Sequence, residues 1–255
     1  MSLVLNQGSF RVADAGLLQD VSIEIKPGQL AVIAGPNGAG KSTALKLLSG
    51  DLSPSAGSVE IIGRPLSDYS SIDLAKQRAV MPQTAKLAFG LKVWELVQTG
   101  RAPHGENDQV AQNQVQSALE RVGAVNLAGR DVSTLSGGER QRVFLAKALC
   151  QVMDQTSAYL LLDEPTSALD LKQSQRVLRI LREAADDGLG VCVILHDLAA
   201  AKRYADIVHL FANGRLHTSG APGMALTPQT IADVYEVPPD IAMDALGAPM
   251  LMAAE

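Results

Sequence analysis

Eight consecutive residues, Gly35-Pro36-Asn37-Gly38-Ala39-Gly40-Lys41-Ser42, match the pattern G-x-x-x-x-G-K-[ST] in full. Glycines at this spacing let the backbone curl so that several N–H groups converge on phosphate oxygens. A helix starting behind them adds its positive N-terminal end. Lys41 then supplies a point charge for the β- and γ-phosphates, and the hydroxyl of Ser42, with Thr43 beside it, suits Mg²⁺. A second group lies far along the chain. The apolar run Tyr159-Leu160-Leu161-Leu162 ends in Asp163-Glu164-Pro165. Carboxylates at the end of a parallel strand sit beside the crevice where such sheets bind ligands. Asp163 is placed to hold Mg²⁺, through water, and Glu164 to polarise an attacking water as general base.

A third group is Leu135-Ser136-Gly137-Gly138-Glu139-Arg140-Gln141-Arg142. Ser136 and Glu139 have the S-x-x-E spacing of a capping box, which starts a helix. The box does not account for Gly137 and Gly138, each of which costs up to ~1 kcal/mol of helix propensity. Glycines in a first turn allow another group to approach the exposed N–H donors. A helix N-terminus carries about half a positive charge, which complements a phosphate.

The elements that must position these groups are legible in outline. Leu30 to Ala34 is a continuous apolar run stopping at Gly35, as a buried parallel strand would. Lys41 to Leu48 has helical spacing and ends at Gly50, a plausible cap. Leu3 to Leu5, Val21 to Ile25 and Val59 to Ile62 predict short strands between Gly, Pro and Asp. In Asp108 to Val122, Ala111, Val115, Ala118, Leu119 and Val122 form the stripe of an amphipathic helix. Strands are predicted at Tyr159–Leu162, Val191–Leu195 and Ile207–Phe211, with a helix over Leu171–Ala185 and a turn at Asn213-Gly214. Near the C-terminus Ile241 and Met243, then Met250 and Met252, alternate about Gly247, which predicts a small hairpin; these methionines read as gap-filling residues rather than metal ligands.

The 255 residues carry 47% hydrophobic and 19% charged side chains, enough for a sizeable core in one large α/β unit. A net charge of −5 argues against nucleic acid as partner. Two cysteines, Cys150 and Cys192, cannot make a disulfide framework and read as reduced core residues. No apolar run reaches the ~20 residues of a bilayer span, and Met1 to Phe10 does not read as a signal peptide. A soluble protein is expected, with any membrane role exercised through a partner.

Taken together, the three motifs resemble the ATP-binding cassette (ABC) family over about Leu3 to Val237. The resemblance implies a P-loop NTPase (RecA-like) α/β core with an N-terminal antiparallel β subdomain and an inserted helical subdomain. It places the nucleotide-binding core at about 1–86 and 152–237, the helical subdomain with the signature at about 87–151, and a C-terminal hairpin or tail at about 238–255. It implies that Ser136, Gly137, Gly138 and Glu139 serve the ATP of a second copy, that Asp170 contacts that copy's phosphate loop, and that Gln83 meets Mg²⁺ or the attacking water. His196 corresponds to the switch histidine that reaches the γ-phosphate. His104, His209 and His217 receive no role. At the family's adenine-stacking aromatic position this chain has Val12, with Phe10 two residues earlier on the same strand face.

With one cassette and no membrane span, the chain looks like the separate ATPase subunit of a bacterial importer. It would work as a homodimer with Mg²⁺ and ATP, on two permease subunits at the cytoplasmic face of the inner membrane and indirectly with a periplasmic substrate-binding protein. The stretch from Met81-Pro82-Gln83 through Val93-Trp94-Glu95 to Gly105 is similar to ATPases of haem uptake, and next to those for iron–siderophores or vitamin B12. There the groove around Phe89 to Trp94 receives a permease helix. Soluble family members acting in DNA repair or translation bring coiled coils, zinc cysteines or paired cassettes, none of which is seen in this sequence. A purely nucleotide-binding module would not need Glu164 and His196.

Overall fold

The computed structural model describes residues 2–12, 15–83, 90–155, 157–167 and 169–247. The chain opens with β1 (Leu3–Val12) and β2 (Ala15–Ile25), then β3 (Leu30–Ala34), α1 (Lys41–Ser49), β4 (Ala56–Ile61) and β5 (Arg64–Pro65). Next come α2 (Ser71–Gln77), β6 (Arg78–Met81), α3 (Val93–Gln98), α4 (Asp108–Val122) and α5 (Gly137–Val152). The remainder alternates: β7 (Tyr159–Leu162), α6 (Leu171–Asp186), β8 (Gly190–Ile194), α7 (Leu198–Tyr204), β9 (Ile207–Ala212) and β10 (Arg215–Gly220). Three short helices follow, α8 (Pro222–Ala225), α9 (Pro228–Tyr235) and α10 (Pro239–Ala245).

A six-stranded sheet runs in the order β10-β9-β3-β8-β7-β6. Its pairs are parallel except for the β9–β10 hairpin. Strands β3, β7 and β8 are buried on both faces, and their residues alternate between two hydrophobic clusters. Leu30, Val32, Leu160, Leu162, Val191 and Val193 face one, and Ala31, Ile33, Leu161, Cys192 and Ile194 the other. That is why they read as unbroken apolar runs. The first cluster is filled by helices α3 to α10. The second is filled by α1 and by a four-stranded antiparallel sheet, β2-β1-β4-β5. This is the P-loop α/β core with an antiparallel β layer. Truncating a central residue such as Leu160 would cost about 2–5 kcal/mol.

Parallel pairing has a consequence for chemistry. It brings the C-terminal ends of β3, β6, β7 and β8 to one edge, and the sequence continues there into Gly35, Gln83, Asp163 and His196.

Helix α4 has the bounds its stripe predicted, and Ala111, Val115, Ala118, Leu119 and Val122 are buried. Cys150 and Cys192 are buried free thiols, and burial pushes Cys150 up to about 12. The C-terminal expectation is corrected. Ile241 and Met243 lie on α10, not on a hairpin arm. Proline at its first position is preorganised for a helix, and Ala242 and Leu246, four apart, are the buried pair. Met250 and Met252 fall outside the described residues.

Candidate functional site

The phosphate loop leaves β3 with three glycines at positive φ, Gly35 at 143°, Gly38 at 78° and Gly40 at 96°. A Cβ on Gly35 would lie 2.3 Å from the carbonyl oxygen of Phe211, so backbone packing excludes any side chain there. Nothing lies within 4 Å of a Cβ on Gly38, leaving that face of the loop open for a ligand. Lys41, the first residue of α1, is 6% exposed and its Nζ donates to the carbonyls of Gly35 and Pro36, both at 2.8 Å. Desolvation holds its pKa below the usual lysine range, although Glu164 and Asp163 pull it back up. Pro36 and Ala39 close the turn through the Ala39 N–H to Pro36 carbonyl bond of 3.3 Å. A cavity of about 260 Å³ opens over the loop, lined by Leu17, Asn37, Gly38, Lys41, Thr43 and Glu164 among others.

Asp163 is buried and accepts from Ser42 Oγ at 3.3 Å, so a hydroxyl and a carboxylate from two separate motifs converge. Burial raises the Asp163 pKa, with a further push from Glu164, while Ser42 and two lysines oppose it. Lys41 is held by the loop carbonyls and makes no ion pair with Asp163. This oxygen set, short of a directly bonded cation, fits a hard ion such as Mg²⁺.

Glu164 is the centre of the arrangement. Gln83 Nε2 donates to its Oε2 at 2.8 Å and His196 Nε2 meets its Oε1 at 2.6 Å, so residues 81 and 32 positions away share one carboxylate. The backbone of Glu164 has φ 51°, a left-handed conformation uncommon for non-glycine residues. Such outliers persist where surroundings hold them. Here the Glu164 carbonyl accepts from Gln141 Nε2 and Ser167 Oγ, each at 3.1 Å.

The second region, at the start of α5, is built differently. Ser136 and Glu139 form the expected capping box: Glu139 N donates to Ser136 Oγ at 3.3 Å, and Ser136 N to Glu139 Oε2 at 2.9 Å. The two glycines part company. A Cβ on Gly137 would meet nothing within 4 Å, whereas one on Gly138 would strike Gln173 Oε1 at 2.6 Å and Leu169 at 3.1 Å. A Cβ on Gly138 would need the flexible end of Gln173 to swing aside and Leu169 to yield slightly, whereas Gly137 faces open space. Asp170 caps α6, accepting from the N–H and the side-chain amide of Gln173 at 2.8 and 3.0 Å.

Gln83, Glu164, His196, Asp163, Ser42 and Lys41, all singled out in the sequence, lie at one end of the sheet. Sequence reasoning missed Gln141, one turn past the glycines, which ties α5 to the Glu164 backbone. It also missed Leu17, an exposed aliphatic side chain at the mouth of the loop cavity. Val12 is 54% exposed, while Phe10 is partly buried against the second core cluster. His104 meets the Gln151 carbonyl at 2.8 Å, and buried His209 pairs with Ser219 Oγ.

A nucleotide-binding P-loop protein is what this sheet edge and its loop define. The chain belongs to the ABC transporter family, whose model matches residues 18–167. It is 43% identical over 238 residues to a hemin import ATP-binding protein, HmuV, of Streptomyces coelicolor, covering 92% of this chain and 84% of the relative. It is 44% identical over 230 residues to the protein of the same description from Gloeobacter violaceus, covering 87% and 82%. A solved ATP-binding subunit of an ABC transporter superposes with a TM-score of 0.80 at 23% identity, over 97% of this chain and all of the other. This chain is an ATP-hydrolysing transporter cassette. Among the described residues no helix is long and apolar enough to cross a membrane.

Proposed function

We propose that this chain powers haem import, hydrolysing ATP as one half of a homodimer docked on two permease subunits at the cytoplasmic face of the inner membrane. A periplasmic binding protein would deliver the cargo. The observation that carries the chemistry is Glu164 held between Gln83 and His196 beside the phosphate loop.

In the proposed reaction Gly35 to Thr43 wrap the phosphates, and Lys41 leaves the Gly35 and Pro36 carbonyls to pair with phosphate oxygens. Ser42, Asp163 and Gln83 would hold Mg²⁺, which supplies charge neutralisation when bound. Glu164 takes a proton from water as the water oxygen bonds to the γ-phosphorus. The bond from that phosphorus to the β–γ bridging oxygen breaks, and ADP leaves with the electron pair. His196, donating through its Nε2–H, and Gln83 hold the Glu164 carboxylate in line, and His196 stays within reach of the γ-phosphate.

The open face of Gly137 and the positive end of α5 support a trans role for Ser136, Gly137, Gly138 and Glu139. They would cover the γ-phosphate bound by the second copy, with Asp170 reaching that copy's loop. Residues of about 87–151 form the part that meets the permease. The haem assignment is supported by the relatives' printed function together with the Gln83 to Gly105 stretch, part of which (84–89) lies outside the described residues. The test is reconstitution with the adjacent permease and binding protein in vesicles. Haem should raise ATP turnover and accumulate inside, and ferric siderophore or B12 should not. Stimulation by either of those instead of haem would overturn the cargo assignment.

A further inference from the structure

Three helices meet in a groove of about 640 Å³ away from the phosphate loop. Arg121 enters it from the end of α4, Arg142 from α5, and Lys172, Arg176 and Arg179 from α6. Only Asp170 and Glu183 line it with negative charge. Five cations in one concavity are unexpected in a chain of net charge −5. Lys172, Arg176 and Arg179 recur at four- and three-residue spacing on one face of α6, where like charges destabilise a helix. The opposite face is spoken for, since Val177, Leu178, Leu181 and Ala184 are buried in the core.

The partners of these groups are telling. Arg121 pairs with Asp187 at 2.6 Å, and Arg142 Nη1 donates to the Gly123 carbonyl at 2.9 Å. Arg142 Nε is buried and makes no hydrogen bond. Among the described residues no carboxylate lies within ion-pair distance of Lys172, Arg176 or Arg179. The Arg176 guanidinium packs against Gly123, where a Cβ would clash with it, so α4 and α6 are in contact at the groove's floor.

We infer that this groove binds a small, multiply charged phosphate compound of diphosphate to nucleotide size, at a site distinct from the phosphate loop. Guanidinium forks match phosphate oxygens in pairs. Arginines contributed by three helices provide donors for more than one phosphate. The volume lies within the range of roughly 300–1,000 Å³ typical of small-ligand sites. The inference does not depend on the transport reading, and neither Arg176 nor Arg179, whose loss its test reads out, belongs to the ATP machinery described above.

The probe is pyrophosphate, titrated calorimetrically into protein carrying Lys41→Ala, which removes the charge of the phosphate loop. Adding Arg176→Ala and Arg179→Ala should raise Kd tenfold or more. Both residues are exposed, so the thermal unfolding midpoint should stay put and confirm an intact fold. A control pair at exposed lysines elsewhere, Lys26→Ala and Lys202→Ala, should leave Kd within twofold. Equal affinity in all three proteins, no binding to any, or equal weakening by the control pair would overturn the site. So would loss of binding to phosphatidylglycerol vesicles in the arginine variant without any pyrophosphate binding, since that would assign the groove to a membrane surface.

Discussion

The phosphate-loop edge and the start of α5 carry motifs of similar length, yet the side chains of one converge on a shared carboxylate while the other leaves an open face. At the first, Lys41, Ser42, Asp163, Glu164, Gln83 and His196 all make hydrogen bonds with one another or with the loop. At the second, Ser136 and Glu139 satisfy each other, and Gly137 opens outward. The difference is what the proposed division of labour requires, with a reaction centre at the first region and a donor surface at the second. Gln141 of α5 ties the two together through the Glu164 carbonyl, and Gly138 packs against Gln173 of α6.

The comparison breaks most visibly at its chemical end. Glu164→Gln should lower ATP turnover by about 10²–10⁴-fold, the range typical of a general base, while leaving nucleotide affinity near wild type. Phosphate release and equilibrium binding together check this, and near-normal turnover would remove Glu164 from the mechanism. The two glycines then separate stability from function. Gly138→Ala must swing the Gln173 amide aside, which its flexible side chain allows, and should cost no more than about 1 kcal/mol of unfolding free energy, at or below the overpacking range. Gly137→Ala should leave the unfolding midpoint unchanged and slow turnover. Equal thermal effects at both positions would erase the distinction drawn between them.

A smaller effect tests the link. Gln141→Ala removes one of the two side-chain donors to the Glu164 carbonyl and should reduce kcat about five- to tenfold, with KM for ATP little changed, consistent with the ~1 kcal/mol of one hydrogen bond. A change in KM alone would show that Gln141 acts on binding instead. The smallest expected effect concerns pH. Burial raises the Asp163 pKa, so the folded state binds the proton more tightly than the unfolded chain does. The stability this contributes is full below the unfolded pKa and is lost as pH rises through the folded one. At neutral pH Asp163→Asn should therefore unfold at higher temperature than wild type while losing turnover. The gap should close as pH falls below the carboxylate range.

Much of this was legible in the sequence because local patterns coincided with tertiary roles. The Asp108–Val122 stripe, the capping box at Ser136 and the strand–loop–helix around Gly35 each have a short-range cause. Three things were not legible. Gly138 sits against Gln173, thirty-five residues on, a contact only the α5–α6 packing creates. The Ile241/Met243 alternation was too short to tell period two from a helix. Pro239 and the Ala242–Leu246 spacing, governed by burial, decided for the helix. Likewise the role of Gln141, one turn into α5, emerges only where β7 delivers the Glu164 carbonyl beside it.

The central claim is that the donor surface of one copy completes the reaction centre of another. It is tested most directly with mixed dimers pairing a Lys41→Ala subunit with a Ser136→Arg subunit, by counting the ATP occluded per dimer. If the two regions act in trans, one composite site keeps both its unmutated loop and its unmutated signature, and one ATP is occluded. If they act within a single chain, both sites are damaged, and a count of zero would contradict the account.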